Sequence, residues 1–133
     1  MIVTRLDHVN IIASNLAETA RFYTELFDLE ERDGPEHMRP DQVRWMYDNA
    51  GNAILHLNTP DFVRRFDRMV AADEATGAIH HVAFRCDDFD NMTARLRARG
   101  AEYKINDYSS SGLKQIFTFD PNNVLLELNF IVI

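Results

Sequence analysis

This chain is short of several things, and each shortage excludes a class of function. It has one cysteine, Cys86, so no disulfide can form within it, which fits a reducing compartment. No run of Lys or Arg exceeds two residues, and the net charge is −7. Binding to a phosphate backbone needs a basic footprint, so nucleic acid and anionic membrane surfaces are excluded as partners. Nowhere does the chain approach the ~18 continuous apolar residues of a membrane span. The opening Met1-Ile2-Val3-Thr4-Arg5 lacks the layout of a signal peptide. The expectation is a cytoplasmic protein.

What is present is globular. Of 133 residues, 46% are hydrophobic and 26% charged, the balance of a folded domain. The chain also repeats itself. Leu6-Asp7-His8-Val9 returns as Ile79-His80-His81-Val82, and Ile54-Leu55-His56-Leu57-Asn58 returns as Leu125-Leu126-Glu127-Leu128-Asn129. Two copies of one module are implied, each about 60 residues and marginal alone. They are expected to share a core or to pair with another subunit.

Each copy reads as strand, helix and three strands. In the first, Val3 to Ile12 is a strand. Asn15, with Glu18 three residues on, caps a helix through Phe27. Leu29 to Arg32 is a short strand, and Gln42 to Asp48 with Asn52 to Asn58 forms a hairpin. In the second, Ala78 to Arg85 is a strand, Asp87 and Asp88 sit at a cap, and a helix runs from Phe89 to Gly100. Ala101 to Ile105 is a strand, Asp107 to Gly112 a polar loop, and Leu113 to Phe119 with Val124 to Val132 a hairpin. Between the copies, Phe62, Val63, Phe66, Met69 and Val70 recur at helical spacing. The expected organisation is therefore a first βαβββ module over 1–58, a linker helix with one buried face over 59–77, and a second βαβββ module over 78–133.

Matched positions in the two copies hold His8, His56, His81 and Glu127, all residue types that ligate metals. His80 competes with His81, but the His-Val pairing favours His81, and adjacent strand residues face opposite ways. Glu127 is flanked by Leu125, Leu126, Leu128 and Phe130; a carboxylate buried among them would be costly unless paired or metal-bound. If the first and last strands of a module are neighbours, its two side chains converge. Two curled sheets would then bring all four into one cleft. His56 is open between a fourth ligand and an acid/base group titrating near ~6.5.

These residues resemble the vicinal oxygen chelate superfamily, which includes glyoxalase I, extradiol dioxygenases and bleomycin resistance proteins. The likeness rests on Leu6-Asp7-His8-Val9, Phe22-Tyr23, His80-His81-Val82-Ala83-Phe84, and Phe119-Asp120-Pro121-Asn122 leading to Leu126-Glu127-Leu128. It implies an α+β fold in which two pseudo-symmetric modules form a half-open barrel around a divalent metal. The ligands would be His8, His81 and Glu127, with His56 at the variable fourth position.

Three chemistries follow from the resemblance. An extradiol-type dioxygenase would use Fe(II), the favoured metal for two His and one carboxylate, with His56 at the position of an acid/base histidine. Against it, Phe117 stands where a tyrosine is usual. A glyoxalase- or epimerase-type isomerase or lyase would use Ni, Co, Mn or Zn as a Lewis acid, with Glu127 or His56 as base. A binding or resistance protein would have no turnover, and the full ligand set argues against it. The slight preference is for the dioxygenase.

Around the metal, Asn10, Met46, Phe117 and Tyr108 are the expected contacts of a small-molecule substrate. Tyr108 with Ser109-Ser110-Ser111-Gly112 is either a lid or an ordinary solvated loop. Cys86 is expected to be an inert thiol, His37 a surface residue, and Arg64-Arg65 a solvated helix face. A homodimer is expected, because small modules leave edges and apolar faces to cover.

Overall fold

A computed structural model describes residues 2–35 and 37–133. Met1, in the expected N-terminal run, and Glu36, in the loop that holds His37, lie outside the described residues. The chain divides into two compact units, Met1–Glu74 and Ala75–Ile133.

In the first unit the order is β1 (Val9–Ile12), α1 (Leu16–Phe27), β2 (Glu30–Asp33), β3 (Val43–Tyr47) and β4 (Ala53–Asn58). The sheet runs β1-β4-β3-β2, with β1 parallel to β4 and the rest antiparallel. Asn15 caps α1 as expected, its side chain accepting from Glu18 N at 3.1 Å. Ile11, Met46, Leu55 and Leu57 share one face by register and are buried. The α1 side chains Leu16, Ala20, Phe22, Tyr23 and Leu26 are buried as well, and α1 packs on β2, β3 and β4.

The second unit repeats this order with β5 (Val82–Cys86), α2 (Phe89–Ala98), β6 (Tyr103–Tyr108), β7 (Leu113–Phe119) and β8 (Leu125–Ile131). Its sheet runs β5-β8-β7-β6, with β5 parallel to β8. Asp88 caps α2 by accepting from Asn91 N, and Gly100 follows the helix at φ 68°, a left-handed conformation suited to glycine. Leu126, Leu128 and Phe130 form the buried face of β8, where Phe89 meets Phe130 edge-on at 5.4 Å. The two-module α+β reading is therefore correct, and first and last strands are neighbours in both sheets.

Four expectations are corrected. No linker helix forms: 59–77 consists of turns and bends, and Val63, Phe66 and Met69 stand exposed. A short amphipathic helix with nothing to bury its stripe is unstable in water. Arg64 instead donates to the carbonyls of Thr59 and Pro60, at 3.1 Å each, folding the segment back on itself. That also removes the solvated helix face expected for Arg64, whose side chain is mostly buried. The first strands are shorter than expected, starting at Val9 and Val82. Finally, Asp107 to Gly112 is no open loop. β6 continues through Tyr108, and Ser109–Ser111 makes one 3-10 turn pinned by Asp107, which accepts from Ser109 N and Oγ.

Candidate metal centre

Each unit contributes one pair of candidate donors. His8 and His81 occupy the same place, immediately before β1 and β5 rather than within them. His56 lies on β4 and Glu127 on β8, the central partners of those short strands.

In the first unit His8 and His56 are brought together. Their rings stack with centroids 3.6 Å apart and planes inclined by 13°. Trp45, opposite His56 across the β3–β4 pair, covers the other side of His56 at 3.8 Å and 6°. Burial, reinforced by the neighbouring His8, pushes His56 down to about 4, so its ring is neutral at pH 7. His8 Nδ1–H donates to Asp7 Oδ2 at 2.7 Å, and this bond holds the Asp7 carboxyl below the usual carboxylate range. With Nδ1 so engaged, a neutral His8 offers the Nε2 lone pair, the way metal-ligating imidazoles are oriented.

In the second unit His81 Nε2 faces Glu127 Oε1 at 3.7 Å. His80 is the neighbour that bonds it, the two Nδ1 atoms lying 2.9 Å apart. Glu127 is not surrounded as its sequence neighbours imply. Leu126, Leu128 and Phe130 alternate to the opposite, buried face, while Glu127 shares its face with Leu125 and Asn129. Its carboxylate is satisfied by Asn129, which donates to Oε2 at 2.9 Å.

Among the described residues, no third His, Cys, Asp or Glu completes a metal group within either unit. The donors themselves, imidazole nitrogens and a carboxylate oxygen, fit Fe(II), Mn, Co, Ni or Zn, and Asp7 and Asn129 already orient two of them. Two near-parallel rings, however, cannot both point in-plane lone pairs at one nearby ion. The His8–His56 stack therefore suits one ligand and one neighbour.

The expected substrate contacts divide. Asn10 pairs in register with His56 and shares its face. Phe117 lies directly across from Glu127, and Tyr108, half exposed, is on that same face at the sheet edge. Met46 is corrected: it is fully buried on the opposite face. The cause is a bulge between Met46 and Tyr47. Continuing the Tyr47–Ala53 pair without it would set Met46 opposite Ile54, on the His56 face. The bulge turns Met46 into the core and brings Trp45 beneath His56. His37 is exposed. Cys86 is partly buried, and burial pushes its thiol up to about 11.

Asp7 and Gln115 are not singled out by the sequence as residues that touch the candidate donors or the residues bonded to them. Asn58 and Asn129 had a signal, since they end the repeated segments at matched positions.

A profile of the Glyoxalase/Bleomycin resistance protein/Dioxygenase superfamily matches residues 5–128. No curated protein matches in sequence. Among solved structures, lactoylglutathione lyase from Agrobacterium tumefaciens is similar at TM-score 0.69 and 19% identity, covering 98% of this chain and 96% of that one. The fosfomycin resistance protein FosX from Listeria monocytogenes is similar at TM-score 0.68 and 20% identity, with 97% and 94% covered. A protein from the mobile metagenome of V. Pseudocholerae reaches TM-score 0.72 at 14% identity, with 98% and 96% covered. At these identities the likeness is one of fold.

Proposed function

The chain belongs to the Glyoxalase/Bleomycin resistance protein/Dioxygenase superfamily, and from that premise we propose that it is a metal-dependent enzyme acting on a small molecule with two adjacent oxygen atoms. The observation that carries this reading is the matched placement of oriented donors. His8 is anchored by Asp7, and His81 faces a Glu127 held by Asn129. His8, His81 and Glu127 are the proposed ligands. His56 is the neighbour that backs His8 by stacking rather than a ligand.

A divalent ion held there would supply Lewis acidity to neighbouring substrate oxygens. The chain's own groups do the rest. Asn10, Phe117 and Tyr108 bind and orient the substrate. Trp45 beside His56 and Phe117 across from Glu127 put an aromatic side chain next to a donor in each unit, which favours a flat or partly apolar molecule. His56, held neutral at pH 7, carries no imidazolium proton and so does not serve as the acid.

Two chemistries divide this reading. Ring-opening oxygenation of a catechol-like diol with Fe(II) is favoured by the two-His, one-carboxylate set. Isomerisation or lysis through an enediolate, with Glu127 as base, is supported by the fold shared with a lactoylglutathione lyase. The working assembly is proposed to be a cytoplasmic homodimer, in which a second copy covers the exposed Val63, Phe66 and Met69.

The test is elemental analysis after anaerobic purification without chelator or histidine tag, followed by O2 uptake with a panel of catechols and α-proton exchange in deuterated water. Near-stoichiometric iron with O2 uptake supports the dioxygenase, and another divalent metal with exchange supports the isomerase or lyase. No metal after reconstitution overturns the reading and leaves a binding protein.

A further inference from the structure

Glu127 is held by Asn129, and Asn129 is itself held by Gln115, which plays no part in the reading above. Asn129 lies two residues along β8, so it projects from the same face. Its Nδ2 donates to Glu127 Oε2 at 2.9 Å, and its Oδ1 accepts from Gln115 Nε2 at 3.0 Å across the β7–β8 pair. An ionised carboxylate only accepts. The Asn129 amide therefore has one orientation, nitrogen toward Glu127 and oxygen toward Gln115, and Gln115 must offer its NH2. The relay runs one way, from Gln115 through Asn129 to Glu127. Oε2 is thereby occupied, and Oε1 is the oxygen turned toward His81.

The first unit contains the same device built from other parts. Asn58 follows His56 as Asn129 follows Glu127. It accepts from Arg64 Nη1 at 2.6 Å and donates through Nδ2 to Asn10 Oδ1 at 2.5 Å. Arginine cannot accept, so this amide too has one orientation. In both units an amide at the matched position is polarised from outside and turns its NH2 toward a residue of the site face. One donor comes from the segment after β4 and the other from β7, so no single local contact accounts for both.

We propose that Asn129, polarised by Gln115, is a positioning residue for the metal-binding carboxylate, fixing Glu127 so that Oε1 is the oxygen offered beside His81. The proposal rests on the metal-dependent reading. A ligand held in place by an outer partner binds more tightly because less of its motion remains to be frozen.

Co(II) affinity, measured by competition with a chromophoric chelator, tests it on the full chain. The comparison is wild type, Asn129→Leu, Gln115→Glu and Glu127→Ala, each with the melting temperature of the metal-free protein. Asn129→Leu fills the space but cannot donate, and is expected to weaken Co(II) binding about 10- to 100-fold. Gln115→Glu keeps the shape, presents an acceptor to Asn129 and inverts the relay. It is expected to weaken binding by a similar factor, although residue 115 touches no ligand. If Asn129→Leu fails to fold, Gln115→Glu decides alone. Wild-type affinity in both folded variants, with Glu127→Ala having lost the metal, overturns the proposal and leaves the metal reading standing. If wild type binds no Co(II), or Glu127→Ala binds it equally well, the metal reading falls and takes the proposal with it.

Discussion

The imidazole of His56 lies flat on that of His8, 3.6 Å between ring centroids, with Trp45 flat on its other side. A ring enclosed in this way loses water from both faces, and a charge on it would meet the neighbouring His8 without solvent between them. His56 is consequently neutral at physiological pH, with its transition displaced to about 4.

That displacement sets a sign for stability against pH. The folded state disfavours the protonated ring, so the contribution of His56 is complete above its ordinary 6.5 and is lost as pH falls from there toward about 4. Thermal melts of wild type and His56→Gln are expected to diverge at neutral pH and converge near pH 4. Parallel curves would contradict the buried neutral ring. Trp45 is the only tryptophan, so its fluorescence is expected to change across the same transition in wild type and not in the variant.

Asp7 anchors His8 Nδ1 at 2.7 Å. Asp7→Ala frees the ring to rotate and to take the other tautomer. Metal affinity is expected to fall about 10- to 100-fold, with little change in the denaturant midpoint because Asp7 is exposed. Unchanged affinity would remove His8 Nε2 as the donor.

Met46 is a core residue, fully buried beside Leu55. Met46→Ala is expected to cost about 2–5 kcal/mol in urea denaturation, and Met46→Leu less than about 1.5 kcal/mol. Neither should alter metal affinity in the folded protein. A stable Met46→Ala that lost metal would return Met46 to the site.

The Cys86 thiol, raised to about 11 by burial, is expected to react slowly with a disulfide reagent at pH 8. Reaction should quicken in denaturant, where the thiol returns to its ordinary range. Rapid labelling of the native protein would show an accessible thiolate instead.

Periodicity and caps were enough to locate the elements. The Asn15 and Asp88 caps, the hairpins and the repeated order are local properties, decided by residues within a few positions of each other. So was the matched placement of His8, His56, His81 and Glu127, because a tandem repeat carries its register with it. The profile match over residues 5–128 agrees with the likeness those motifs carry.

Tertiary structure decided what local pattern leaves open. The stripe from Phe62 to Val70 has helical spacing, but a stripe becomes a helix only where something buries it, and Arg64 instead bonds the carbonyls of Thr59 and Pro60 just past β4. The apolar residues around Glu127 imply an apolar pocket until strand alternation sends Leu126, Leu128 and Phe130 to the other face. One bulge between Met46 and Tyr47 exchanged which side chain meets His56. Sequence determined which residues could do chemistry, because residue type and spacing are written in it. Their faces, stacking partners and hydrogen-bond directions were fixed only by the sheet, because these depend on strands distant in sequence pairing in one register.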